Sequence, residues 1–345
     1  MISDQTNAKT GMSGAKCRQV GRTGLEVTQF GLGGTGLGSL YRPVNDDDAR
    51  ATLSQAWKRG IRFYDSAPMY GYGQSERRMG DFLRDKGPKH YVLSTKVGRL
   101  LEPGSRDLDT DPFKSPFQFT VRFDYSYDAT RRSLEDSLQR MGLPCVDIVL
   151  IHDIGTDTHG PELQPQVYRS AMDGAYRALN DLRGAGVIKA VGLGANEWEV
   201  CFDAMRDGDF DCFLLAGRYT LLEQTAIEVF LPKCIETGAS VFLGGVFNSG
   251  ILVDPAAPNA TFNYKPANEG VRLKALAIQA VCKEHGVSLP AASLALPLRH
   301  PAVASVLSGA SRPSEIEQIA EWLNQEIPES LWDDLKAAGL LDGRA

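Results

Sequence analysis

The sequence has no uninterrupted apolar stretch of about 18 residues, which excludes a membrane-spanning helix. It has no C-x-x-C pair. Its six cysteines, Cys17, Cys145, Cys201, Cys212, Cys234 and Cys282, do not cluster with histidine at zinc spacing. No metal site and no disulfide framework is therefore expected, and the thiol usage suits a reducing cytoplasm. There is no Lys/Arg run. The 37 basic and 43 acidic residues give a net charge of −6, which disfavours general nucleic-acid binding. Met1 to Lys16 lacks the apolar centre of a secretory signal and reads as a flexible polar tail. Residues 17–345 read as a single folded unit. Apolar residues at 43% and charged residues at 23% match a globular protein and exclude a disordered chain or a fibre.

What is present is alternation. Short apolar runs at 29–32, 61–64, 91–95, 146–151, 188–193, 212–215, 240–243 and 303–307 read as strands. Between and after them, segments 46–60, 75–84, 129–140, 166–183, 197–206, 226–236, 271–284 and 314–322 read as helices. The run from Val146 to Ile151 is apolar almost throughout, as in a strand covered on both faces. The Gly-punctuated stretch before residue 29 reads as a hairpin. Strict alternation predicts an α/β fold with a parallel sheet, and eight units predict a closed (β/α)8, or TIM, barrel. The active site of such a barrel lies at the C-terminal ends of its strands. Two long loops, 98–128 and 246–268, follow strands and overhang that face. The first carries Phe113, Phe117, Phe119, Phe123, Tyr125 and Tyr127, and reads as either a pocket wall or an insertion with its own small core.

Gly31-Leu32-Gly33-Gly34-Thr35-Gly36 matches the spacing of a dinucleotide fingerprint. That motif needs a helix at the turn and an acid about 20 residues on. Neither follows, so these glycines read as sites of close backbone approach at the first strand mouth.

Three consecutive strands end in complementary polar groups. The second runs into Phe63-Tyr64-Asp65-Ser66-Ala67-Pro68-Met69-Tyr70-Gly71, the third into Ser94-Thr95-Lys96, and the fourth into Ile151-His152-Asp153. A phenol titrates near 10, too high for easy proton exchange at neutral pH. A lysine ammonium beside it favours the phenolate, an aspartate holds the lysine charged, and a histidine orients a reacting oxygen. Singly, Asp65 and Lys96 make a barrel ion pair, Tyr70 a packed aromatic and His152 a strand cap. Together at adjacent strand mouths, they read as an acid–base centre for carbonyl–alcohol interconversion.

These stretches, with Ser94-Thr95-Lys96-Val97-Gly98 and Asp147-Ile148-Val149-Leu150-Ile151-His152, resemble the aldo-keto reductase superfamily over nearly the whole chain. The resemblance implies a tetrad of Asp65, Tyr70, Lys96 and His152, with Tyr70 as general acid/base. It also implies an NAD(P) cofactor extended across the barrel mouth. It gives Asn196 a contact with the carboxamide, Tyr219 a stack on the nicotinamide, and the segment with Gly309, Ser311, Arg312, Glu315 and Gln318 the pyrophosphate and adenosine. The helix N-terminus after that segment suits an anion. Many relatives carry a glutamine where Ala216 stands, and an acidic-amide pair where Gln318 and Ile319 stand. Glu315 occupies a place where relatives that prefer the 2′-phosphate often have arginine. NAD is therefore expected over NADP, with Arg312 as the opposing group.

Within the superfamily, Gly192-Leu193-Gly194-Ala195-Asn196-Glu197 and Leu214 to Leu222 resemble the branch of D-threo-aldose 1-dehydrogenase, L-fucose dehydrogenase and pyridoxal 4-dehydrogenase. The implied reaction is oxidation of an aldose hemiacetal to a lactone. Pyridoxal oxidation or general aldehyde reduction are the alternatives, and a cofactor-sensing regulatory subunit is the non-enzymatic one. The partner in each enzymatic reading is a small carbonyl or sugar molecule.

Overall fold

The computed structural model describes residues 15–104, 111–114 and 116–345. The expected tail lies outside them except for its last two residues. Eight parallel strands close into a barrel: β3 Phe30–Gly33, β4 Phe63–Asp65, β5 Val92–Val97, β8 Ile148–His152, β9 Ala190–Ala195, β10 Cys212–Ala216, β11 Ser240–Gly244 and β14 Val303–Gly309. These are the eight strands expected from the sequence. Every residue of β8 is buried, as its unbroken apolar run requires.

Two antiparallel strands, β1 Cys17–Val20 and β2 Leu25–Thr28, form the hairpin that precedes the barrel. Its Val20, Leu25 and Val27 pack with the barrel-interior residues Phe63, Ile148 and Phe242. Hydrogen bonds tie it to strand starts: Ser240 Oγ accepts from Gly21 N at 2.7 Å, and Arg18 donates to Val303 O at 2.6 Å. The hairpin therefore floors the N-terminal end, and the C-terminal end stays open.

Eleven α-helices occur among the described residues. α1 (Asp46–Lys58) starts where Asn45 Oδ1 accepts from Asp48 N at 2.7 Å, and three aspartates follow in the first turn. α2 (Gln74–Leu83) and α3 (Tyr127–Met141) meet at Gly80, where a Cβ would lie 2.0 Å from Met141 O. The helix expected at 166–183 is longer. α4 (Thr156–Ser170) passes through a π-turn, Ala171–Tyr176, into α5 (Arg177–Gly184). A break at Gly160, φ 74°, lets Pro161 restart the helix without a missing hydrogen bond.

α6 (Trp198–Asp207), α7 (Phe230–Thr237), α8 (Glu269–Glu284) and α10 (Pro313–Leu323) match expected helices to within a few residues. α9 (Leu289–Arg299) and α11 (Glu329–Ala337) were not expected. α9 is buried along most of its length, so its sequence shows no polar stripe to mark a helix.

Both long loops contain hairpins. β6 (Arg99–Pro103) pairs with β7 (Phe119–Phe123), and β12 (Thr261–Phe262) with β13 (Lys265–Pro266).

Candidate active site

The barrel register sets the polar centre. Asp65 pairs with Ser94, Lys96 with Leu150, and His152 with Gly194, which brings the ends of β4, β5 and β8 to one level. Lys96 Nζ donates to Asp65 Oδ2 at 2.6 Å and to Ser66 O at 2.8 Å. Ser94 Oγ donates to Asp65 Oδ1 at 2.7 Å, so both carboxylate oxygens are engaged. The lysine is 1% exposed, and a buried charge of this kind persists only when paired. Burial lowers the Lys96 pKa, but Asp65 and Tyr70 outweigh it and the net shift is upward.

The Lys96 ammonium sits 4.8 Å from the Tyr70 ring centroid. The ring meets that of His152 edge-on at 6.0 Å, and Phe113 packs on it at 6.3 Å. The structure thus gathers the four residues expected to form the tetrad. One electrostatic expectation is corrected. Burial raises Tyr70 to about 12, and Lys96 only partly offsets it. His152 is held well below its ordinary value by burial, then by Arg99 and Lys96, and is neutral at pH 7. Its Nδ1 is buried with no partner among the described residues.

Behind His152 lies a group that the sequence reading missed. Asp153 Oδ2 is 3.5 Å from His152 Nε2 and 2.5 Å from Arg99 Nη2. Asp153 adopts φ 47°, and Tyr125 Oη donates to the carbonyls of His152 and Asp153 at 2.8 and 2.7 Å. The aromatic loop therefore acts from behind: Phe113 backs Tyr70 and Tyr125 pins the end of β8.

A cavity of about 960 Å³ opens beside this centre. It runs from Asp65 and Tyr70 to Ser311 and Glu315 at the start of α10, and loop 246–268 supplies much of its wall. None of the described residues of 98–128 lines it. Gly36 lets the first loop close on the last strand, since a Cβ there would meet Ala310 O at 2.5 Å.

Of the residues expected to hold a cofactor, Asn196, Gly309, Ser311 and Glu315 line this cavity. Tyr219, Arg312 and Gln318 do not. Tyr219 is 1% exposed and turns inward against His300, at 5.7 Å between rings, while its neighbour Arg218 faces the cavity. Gln318 is exposed on the outer face of α10. Arg312 is exposed and pairs with Glu315 at 3.1 Å.

The helix N-terminus expected to receive an anion already holds one: Glu315 Oε2 accepts from Ser311 N at 2.8 Å. Arg42 reaches the same carboxylate at 2.9 Å and donates through Nε to Ser311 Oγ at 2.8 Å. Beside Ala216, Asn248 places its amide against Gly217 O at 3.5 Å, with Oδ1 unpartnered among the described residues. No group of three or more metal-ligating side chains occurs among the described residues.

A closed barrel with a buried Asp65–Lys96 pair and a long cleft at the C-terminal ends of its strands has the layout of a barrel enzyme. The family follows from comparison. The aldo/keto reductase family model matches residues 29–339, and the chain belongs to that family, whose members are NAD(P)-dependent oxidoreductases. It is similar to pyridoxal 4-dehydrogenase of Microbacterium luteolum, with 45% identity covering 94% of this chain and 97% of that one. It is similar to D-threo-aldose 1-dehydrogenase of a Pseudomonas species, with 38% identity covering 92% and 96%. The glycerol dehydrogenase structure from Gluconobacter oxydans shares the fold, with a TM-score of 0.73 at 20% identity, covering 94% of each chain.

Proposed function

We propose that this enzyme oxidises a ring-closed hydroxyaldehyde, an aldose in its hemiacetal form, to a lactone. The supporting observation is the buried Asp65–Lys96 pair set beside Tyr70 and His152 at the head of the cleft. The cleft's length and its Asn196, Gly309 and Ser311 lining suit an extended dinucleotide. When bound, NAD(P) supplies the hydride acceptor or donor.

The protein's own groups handle the proton. Neutral His152 offers an uncharged hydrogen bond to the reacting oxygen. Tyr70 takes the hydroxyl proton in oxidation and returns it in reduction, and Lys96 stabilises the phenolate. Asp65, Ser94 and Ser66 O fix that lysine.

Pyridoxal is the second reading, favoured by the 45% relative. It too is a hydroxyaldehyde that closes to a hemiacetal, so both readings use one chemistry. NAD is proposed over NADP because Glu315 presents a carboxylate at the far end of the cleft, and both nearby arginines are engaged with it. Free thiols at all six cysteines accord with a reducing cytoplasm. The test is turnover of L-fucose, D-arabinose, L-galactose, pyridoxal and a simple aldehyde with each cofactor. Lactone formation with NAD is expected, and absence of turnover across the panel would leave the regulatory reading.

A further inference from the structure

A hairpin tip on the cleft rim carries a residue that its backbone disfavours. β12 and β13 are joined by only Asn263 and Tyr264, whose φ angles are 48° and 64°. Two positive φ values in a two-residue connection make a type I′ turn, and its second position ordinarily holds glycine. Tyrosine there carries steric strain that packing does not offset, since it is 62% exposed.

The strained tip is held firmly in place. Tyr264 N donates to Ser249 Oγ at 3.0 Å, and Thr261 Oγ1 donates to Ser249 O at 2.6 Å. Tyr264 lines the main cavity. Its turn neighbour Asn263 accepts through Oδ1 from Arg218 Nη1 at 3.5 Å, and the cavity it lines is also lined by Asp65, Tyr70 and Asn196. From the first loop, Tyr41 faces the same cavity, also left-handed at φ 65° and 53% exposed.

We propose that Tyr264 is a specificity-determining residue whose aromatic face receives the ring of the substrate, the apolar face of a sugar or a planar heterocycle. This rests on the hydroxyaldehyde reading above and names the feature of the substrate that is selected. A tyrosine offers a large, rigid face with few rotatable bonds, and ring stacking adds to simple burial.

The test compares Tyr264→Gly and Tyr264→Phe with the unaltered enzyme. Three readouts are needed: apo-protein Tm, NAD affinity by fluorescence titration, and KM and kcat for pyridoxal, D-arabinose and the ringless aldehyde methylglyoxal. Glycine is expected to leave Tm equal or raise it, because it removes the strain. It should raise KM for the two ring substrates about three- to tenfold. NAD affinity and the methylglyoxal KM should stay within about twofold, a margin well below the stacking effect. Phenylalanine should behave as the unaltered enzyme.

A lower Tm in the glycine variant would make the ring a packing element and overturn the proposal. So would an unchanged KM for both ring substrates, an equal loss with methylglyoxal, weakened NAD binding, or a phenylalanine variant as impaired as glycine. An unaltered enzyme that turns over none of the three substrates would overturn the functional reading, and this inference with it.

Discussion

The two ends of the cleft are built differently. At the tetrad end, Asp65, Lys96 and His152 sit on barrel strands with Tyr70 in the turn after β4, and the polar partners of the Asp65–Lys96 pair are buried. Lys96, Asp65 and Ser94 come from two neighbouring strands in fixed register. At the α10 end, the groups sit on loops and a helix start, and the ion pairs are part-exposed. Arg42 and Glu315 are joined across 273 positions of sequence, with side chains 39% and 30% exposed. The tetrad end is held by buried hydrogen bonds within the sheet, and the α10 end by part-exposed ion pairs between loop and helix.

Substitutions at each end should separate their contributions. Tyr70→Phe should cut turnover by about 10²–10⁴-fold while cofactor still binds, because the ring stays packed and only the hydroxyl is lost. Single-turnover assays with a parallel fluorescence titration of NAD check both halves. Near-normal turnover would remove Tyr70 from the reaction.

Lys96→Met should also cripple turnover. It strips Asp65 of its partner in a buried setting, which costs about 3–5 kcal/mol of stability. Tyr70 already stands at about 12, and the ammonium is what holds it that low. The residual oxidation rate should therefore peak at higher pH, and an unshifted profile would count against the lysine's role.

Arg99→Met acts one step further back. Arg99 is among the groups that lower the His152 pKa, after burial, and it pairs with Asp153. Removing it leaves burial and Lys96 as the depressing influences, so the His152 pKa should rise while staying below its ordinary value. A group with a depressed pKa stays neutral to lower pH. As that pKa rises, the acid limb of the rate profile should move to higher pH. Nuclear magnetic resonance titration of labelled histidine gives the same shift directly, and a stationary His152 signal would sink the idea.

The smallest effect is expected at the α10 end. Glu315→Gln should shift the ratio of kcat/KM values toward NADP by about fivefold, from about 1 kcal/mol of removed repulsion. A ratio that does not move would assign phosphate discrimination to another group.

The same contrast governs what could be read from the sequence. The convergence of Asp65, Tyr70, Lys96 and His152 was legible because each lies at or just past the C-terminal end of an apolar strand. Arg42 was not, since nothing local announces a partner at the other end of the chain. Arg99 stood next to a named motif and Asp153 closed another, yet their pairing depends on the turn at Asp153, where φ is 47°. Tyr219 lies outside the cavity for the opposite reason: a motif position predicts a residue's place on the chain, not the direction its ring takes. α9 was lost because burial along most of its length erases the helical stripe.

The floor formed by β1 and β2 has a consequence for traffic. With Val20, Leu25 and Val27 seated among the barrel-interior side chains, no passage runs through the packed barrel to its N-terminal end. Two molecules of unequal size must come and go through one doorway, and neither has a rear exit. A small occupant lodged at the rim would obstruct both, so an inhibitor need not resemble either of them to stop the enzyme.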